Sequence, residues 1–355
     1  MKRISLLLIL ALAAASLIRA QDRPVALFYM TENPDSVRAF LAHSGKIGLL
    51  VPTWYTVDAT GLVSGGPNPL VLELAHKQHL PVMPIITASG KDAFHTLLST
   101  PAAQKAMIAA LIRESKNNAY TGFQFDFEDI AWTDRDALSA LVKSTADAMH
   151  AEGLKLSIAT VPNMPGYPGK GGFAKWIYED WRGAYDLAAL AQSVDLICLM
   201  TYDQNTRWTA PGPVAGWEWT VANLDYALKF VPKEKLSLGI PLYGYHWFAG
   251  PPIRREDPET KRMAEHPNAT ANYISAPDAE MLAREYKGTI QWDPGDRTAW
   301  YYINRDQMRE WVFFTDKRTF EERYKLVQGR GIEGFCSWVL GQEDPSIWDL
   351  LPDRK

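Results

Sequence analysis

Y-T-G-F-Q-F-D-F-E-D-I, residues 120–130, is the stretch on which the fold turns. Phe123, Phe125 and Phe127 alternate with Gln124, Asp126 and Glu128, and a strict period of two marks a β-strand whose faces differ chemically. At a sheet edge the acids would simply meet water. Three aromatics on the other face argue instead for a strand packed under helices, with its acids turned into an enclosed space. Carboxylates two residues apart on a strand lie about 7 Å from each other. Enclosing both is costly unless hydrogen bonds or a ligand compensate, and chains that accept that cost commonly use it for chemistry.

Working outward, Thr100 followed by Pro101 opens a helix that runs to about residue 117, since a proline at the first helical position gives up an N–H that has no partner anyway. On the other side Thr133 is expected to cap a helix in which Leu138, Leu141, Val142, Thr145 and Met149 recur at helical spacing until Gly153 stops it. Apolar runs at residues 80–89 and 154–161 flank this unit as strands. Further out, strands are expected at 24–30, 46–55, 194–203, 236–243 and 331–340, with helices at 34–44, 70–79, 185–192 and 319–329. Eight strands alternating with helices give an α/β fold, a (β/α)8 TIM barrel over residues 21–355. The interval between strands seven and eight is too long for one returning helix. Residues 245–313, with strand-like pieces at 299–303 and 311–314, are expected to form a small α+β subdomain inserted on the C-terminal rim, where such additions build binding walls.

At the chain's start, Met1, Lys2 and Arg3 precede an apolar run ending at Arg19 and Ala20, the pattern of a signal peptide over residues 1–20 and hence of a secreted or periplasmic protein. The run is short for a membrane anchor, and no stable membrane insertion is expected after its removal. Losing Lys2, Arg3 and Arg19 takes the net charge from −4 to −7 and leaves no basic block, which argues against nucleic acid as a partner. Two cysteines, Cys198 and Cys336, are too few for a disulfide scaffold; both lie in apolar strand-like runs that suit buried thiols, although a single bridge stays open. Thirteen Trp and fifteen Tyr suit sugar binding in an exported protein, although most of any protein's aromatic rings belong to its core.

Barrels of this kind carry their reactive groups at the C-terminal ends of the strands. Glu128 ends the fourth, Tyr202 and Asp203 the sixth, and Trp338 lies near the end of the eighth. By parity Asp126 pairs with Glu128, Met200 with Tyr202 and Cys336 with Trp338, so all of them can converge on the mouth. Asp129 points the other way and reads as a loop residue. Tyr29, Trp54, Tyr55, Trp132, Trp208, Trp217, Tyr243 and Trp247 also fall at or beyond strand ends, where a ring either packs on a loop or stacks on a sugar. Arg254 and Arg255 read as a solvated face that could also meet acidic glycan groups. His76 and His79 lack a third ligand at metal spacing, and Gly169–Gly172 lacks the Gly-Lys-Ser/Thr ending of a phosphate loop, so neither a metal nor a cofactor is expected. Asn268, with Thr270, forms a glycosylation sequon.

Four motifs, G-F-Q-F-D-F-E at 122–128, M-T-Y-D at 200–203, L-G-I-P-L-Y-G-Y at 238–245 and W-V-L-G-Q-E-D at 338–344, together resemble glycoside hydrolase family 18, most closely its spore-cortex N-acetylglucosaminidases and chitobiases. The resemblance implies a retaining, substrate-assisted glycosidase acting on β-linked N-acetylglucosamine in peptidoglycan or chito-oligosaccharides, an exception to the two-carboxylate scheme. It implies Glu128 as the acid, Asp126 as the group holding the sugar's acetamido N–H, Tyr202 as a donor to the acetamido oxygen, Asp203 as a positioning group and Trp338 as the floor of the subsite. Gln124, Met200, Tyr29, Trp54 and Tyr243 are the further substrate-binding candidates. The chain departs from the family pattern D-G-x-D-x-D-x-E at Thr121 and Gln124; Gln124 is expected to donate a hydrogen bond to ionised Asp126 but relays no proton. A silent, lectin-like binding protein on the same barrel is the alternative, and the presence of Glu128 speaks for the enzyme.

Overall fold

The computed structural model describes residues 24–354 apart from 165–167, 169 and 257–259. The expected signal segment, part of the glycine-rich loop and the side chains of Arg255 and Asn268 lie outside the described residues. Barrel strands run in chain order as β1 (Val25–Met30), β2 (Leu49–Pro52), a short β3 (Tyr55–Val57) with its hairpin return β4 (Val63–Gly65), β5 (Ile85–Ala88), β6 (Gly122–Phe125), β7 (Lys155–Thr160), β8 (Leu196–Leu199) and β9 (Leu236–Pro241). The chain then builds a second sheet from β10 (Tyr243–Glu256), β11 (Met263–Ser275), β12 (Gln291–Asp293), β13 (Thr298–Arg305) and β14 (Met308–Phe314) before β15 (Gly334–Trp338) completes the barrel. β1 pairs in parallel with both β2 and β15, and β15, β9, β8, β7, β6 and β5 follow one another in parallel register. The ring closes where Leu50 bridges Val82, just ahead of β5. The α/β barrel expected from the alternation is therefore the observed fold.

β6 shows why its residues take this place. Phe123, Phe125 and Phe127 are buried; Phe127 lies 4.3 Å from Phe94 of the helix Lys91–Ser99, ring centroid to ring centroid. Gln124 faces the other way and donates from Nε2 to the Tyr29 hydroxyl of β1, 2.9 Å away, on the opposite wall. Burying a phenylalanine contributes about 1.5–3 kcal/mol, whereas an unsatisfied buried polar atom costs about 1–3 kcal/mol. Three rings thus offset a polar interior that the site requires.

Several elements differ from expectation. β6 ends at Phe125, and only the bond from the Asp126 N–H to the Ile86 carbonyl (3.1 Å) carries the ladder one residue further, so Glu128 stands on a loop. β8 ends at Leu199, and Met200 to Asp203 form tight turns in which the Thr201 and Tyr202 N–H groups donate to Leu199 and Met200. Thr133 does not cap the following helix. It sits inside a 3-10 turn, Trp132–Asp134, and the helix Arg135–Ala151 starts from Asp134, whose carboxylate is held by His95 at 2.8 Å. Helices at Lys91–Ser99, Gly172–Ile177 and Trp217–Ala227 were not signalled by the pattern.

The inserted subdomain is an antiparallel sheet in the order β11-β10-β14-β13-β12 with the helix Ala276–Glu285 on one face. Ala299, Tyr301, Ile303, Val312 and Phe314 pack there against Ala276, Ala279 and Ala283. On the other face Tyr245 sits opposite both Tyr273 and Phe313, and Trp300 sits opposite Phe313, a cross-strand row of rings. Because β10 continues β9 after a single residue, Leu242, the seventh barrel strand itself carries Tyr243 and Tyr245 to the mouth. Both cysteines are free and buried inside the barrel.

Candidate active site

Three carboxylates meet above the ends of β6 and β8. Asp126 is partly buried, and its Oδ1 is sealed from solvent with no hydrogen-bond partner among the described residues. Burial, then the charge of Glu128, pushes its carboxyl up to about 7. Glu128 itself stays open to solvent, yet protein crowds it closely enough that burial is the largest influence raising its pKa. The Trp181 indole N–H donates to its Oε2 at 3.1 Å and works against that rise, while the charges of Asp129 and Asp203 add to it. Asp129 and Asp203 both occupy the left-handed region, at φ 55° and 57°, which turns each chain sharply at the rim.

Asp203 is raised above the ordinary range by burial and restrained by two phenols: the Tyr243 hydroxyl donates to its Oδ1 at 2.5 Å and the Tyr245 hydroxyl to the same oxygen at 3.4 Å. Tyr202 is buried among Cys336, Asp126, Glu128 and Asp203, and burial holds its phenol protonated as a donor. Beneath them Tyr29 lies beside Cys198, Cys336, Tyr202 and Asp126, and its ring sits 5.4 Å from that of Trp338. The result is an open mouth with one exposed acid, a carboxyl beside it with an unpartnered oxygen, phenol donors, and an indole against Tyr29. Such a set can protonate a leaving oxygen and hold a small polar group with both N–H and C=O functions.

The model of Glycosyl hydrolases family 18 matches residues 60–343. This chain belongs to glycosyl hydrolase family 18. It is similar to an uncharacterized glycosylase, YvbX, of Bacillus subtilis, at 23% identity over 91% of this chain and 89% of the relative. A cortical fragment-lytic enzyme of the same organism is 24% identical over 84% of this chain and 66% of its own length. Among solved structures, a chitinase from Chromobacterium violaceum superposes with a TM-score of 0.78 at 23% identity, covering 92% of this chain and 97% of that one. The family makes the protein a glycoside hydrolase.

Within this family 18 chain the structure gathers Glu128, Asp126, Tyr202, Asp203, Tyr29, Gln124, Tyr243 and Trp338 into one neighbourhood, with Met200 buried in the turn that leads to Tyr202. One expectation is corrected. Gln124 donates to Tyr29 rather than to Asp126, and its own Oε1 has no partner among the described residues, because the amide reaches across the barrel rather than along the strand. Trp54 follows β2 directly after a tight turn; its indole N–H donates to Glu32 at 2.6 Å and its ring centroid lies 6.1 Å from that of Tyr120. Elsewhere, Arg254 is exposed, and His76, in the last turn of its helix, donates from Nε2 to the Asn118 carbonyl at 3.0 Å.

Trp181 and Tyr185 were missed from sequence. The Tyr185 hydroxyl donates to the Phe127 carbonyl at 2.6 Å and so fixes the loop that bears Glu128. Their signal was present as two rings four residues apart in W-R-G-A-Y-D, residues 181–186, just ahead of β8. The end of the last motif proves structural. Glu343 accepts from the Gly341 N–H and the Trp348 indole, and Asp344 accepts from the Lys317 N–H, which ties the chain's end to the helix Lys317–Arg330.

Proposed function

We propose that this chain is a retaining hydrolase of β-linked N-acetylglucosamine glycans that uses the substrate's own acetamido group as nucleophile. The observation that carries the reading is the unpartnered Oδ1 of Asp126 beside Glu128, an acceptor waiting for an N–H donor that the protein does not provide. Glu128 gives its proton to the glycosidic oxygen as the bond to the anomeric carbon breaks. The acetamido oxygen forms the new bond to that carbon, Asp126 accepts from the acetamido N–H and stabilises the resulting oxazolinium, and Tyr202 donates to the acetamido oxygen. Glu128, now a carboxylate, takes a proton from water, which opens the ring from the face that the leaving group vacated. Two displacements at one carbon give net retention.

An ordinary two-carboxylate mechanism would use Asp203 or another acid as nucleophile; the Oδ1 of Asp203 already holds two tyrosine hydroxyls, which lowers its nucleophilicity. The test is hydrolysis of an aryl N,N′-diacetylchitobioside beside its 2-hydroxy analogue. Turnover of the acetamido substrate alone is expected, and comparable turnover of both would sink substrate assistance. The leader-like residues 1–20 support export of the mature enzyme; an N-terminus near residue 21 on protein recovered outside the cytoplasm is the expected outcome.

A further inference from the structure

Arg182 closes a single turn of π-helix, Tyr178–Arg182, a geometry that recurs at functional sites. Its guanidinium carbon lies 5.6 Å from the ring centroid of Trp181, whose N–H is 3.1 Å from the Glu128 carboxylate. The cation is therefore about one indole away from the acid. It is also uncommitted. Its Nε is buried without an acceptor, and no carboxylate among the described residues pairs with it. The acids nearest to it in sequence are engaged elsewhere: Glu179 with Lys175 at 3.6 Å, Asp180 with Lys91 at 2.5 Å and Asp186 with Arg135 at 2.9 Å. Burial alone lowers its pKa, with no neighbouring charge restoring it. A partly buried guanidinium with no paired carboxylate is costly, and an anion binding the rest of its fork would offset that cost.

We propose that Arg182 is a specificity residue that binds a carboxylate carried by the glycan, so that the preferred substrate is an acidic N-acetylglucosamine polymer rather than a neutral one. The proposal deepens the glycosidase reading and rests on it for the position of the glycan. Guanidinium is suited to the task because its planar fork matches the two oxygens of a carboxylate. A purely structural role, as a cation covering the Trp181 face, predicts no dependence on ligand charge.

The experiment compares two ligands of equal shape: an alternating tetrasaccharide of N-acetylglucosamine and N-acetylmuramic acid, and its methyl ester, in which the carboxylate is neutralised. Binding is measured by calorimetry to the Glu128→Gln protein, with and without Arg182→Met, and with Arg182→Lys as a second variant that keeps the charge but lacks the fork. The acid is expected to bind roughly tenfold or more tightly than the ester when Arg182 is present, as charge-assisted hydrogen bonds do. That ratio should fall to about one in Arg182→Met and to an intermediate value in Arg182→Lys. Equal binding of acid and ester, no binding of the acid, or a preference that survives Arg182→Met overturns the proposal. Turnover of both ligands by the unmodified enzyme is scored separately. A charge preference in binding without cleavage would remove the glycosidase reading alone, and cleavage without a charge preference would remove this proposal alone.

Discussion

Asp126 at the end of β6 and Asp203 at the end of β8 flank the same Glu128, and burial pushes both above the ordinary aspartate range. They differ in what surrounds the oxygens. Two tyrosine hydroxyls converge on Oδ1 of Asp203, so its charge is already stabilised and its position fixed. Asp126 Oδ1 has no donor, and a proton or a ligand must supply one. One carboxylate is satisfied within the scaffold, and the other keeps an oxygen without a partner among the described residues. Equal burial can therefore serve opposite ends, and the hydrogen-bond inventory separates them where the sequence offers only two aspartates.

Under the proposed mechanism the largest effect is expected at Glu128, which both aspartates flank. Glu128→Gln keeps size and hydrogen bonding but cannot donate a proton, and release of the aryl leaving group should fall by about 10³-fold, within the range of lost general acids. Asp126→Asn should cost about 10²-fold, since an amide that accepts poorly no longer stabilises the cationic intermediate. It also has a signature in the absence of substrate. Because the folded value of Asp126 is raised from 3.8 to about 7, ionisation disfavours the fold progressively as pH rises through that window. Melting temperatures at pH 4 and pH 8 should show Asp126→Asn gaining stability relative to wild type at the higher pH; a parallel pair of profiles would mean that Asp126 is not the strained group. Tyr243→Phe comes next. It removes one of the two donors on Asp203, should raise that carboxyl further and should cost about 1–2 kcal/mol in urea unfolding, with turnover reduced less than by Asp126→Asn.

The same contrast marks what could be deduced from sequence. Glu128, Asp126, Tyr202 and Asp203 were legible because barrel strands announce themselves as apolar runs and place their last residues at one rim. The satisfaction of those residues was not legible. Tyr245 reaches Asp203 only because β9 runs on into β10, and Gly250, Pro251 and Pro252 interrupt the pattern so strongly that a fourteen-residue strand with a register shift there reads as loop. Trp181 comes from a single turn of π-helix and Tyr185 from the loop after it, and neither follows the 3.6- or 2-residue period, so no periodic reading could attach them to Glu128.

Trp181→Phe carries the smallest effect and the finest test of the comparison. Among the described residues the indole N–H is the one hydrogen bond that favours the charged form of Glu128, against burial and the charges of Asp129 and Asp203. Phenylalanine keeps the ring and loses the donor, so the Glu128 pKa should rise further and the carboxylate should hold its proton to higher pH. With the general acid protonated over a wider range, the alkaline limb of kcat/KM should move upward, while the plateau changes only a few-fold because the proton donor itself remains. Since Asp126 and Glu128 titrate as an interacting pair, the limb reports the pair rather than either carboxyl alone. The assignment therefore needs Asp126→Asn beside it. If Trp181→Phe still moves the limb in that background, the indole acts on Glu128 directly; if the shift disappears, the proton that limits activity at high pH resides on Asp126, and the unfinished carboxylate rather than the exposed one sets the working pH of the site.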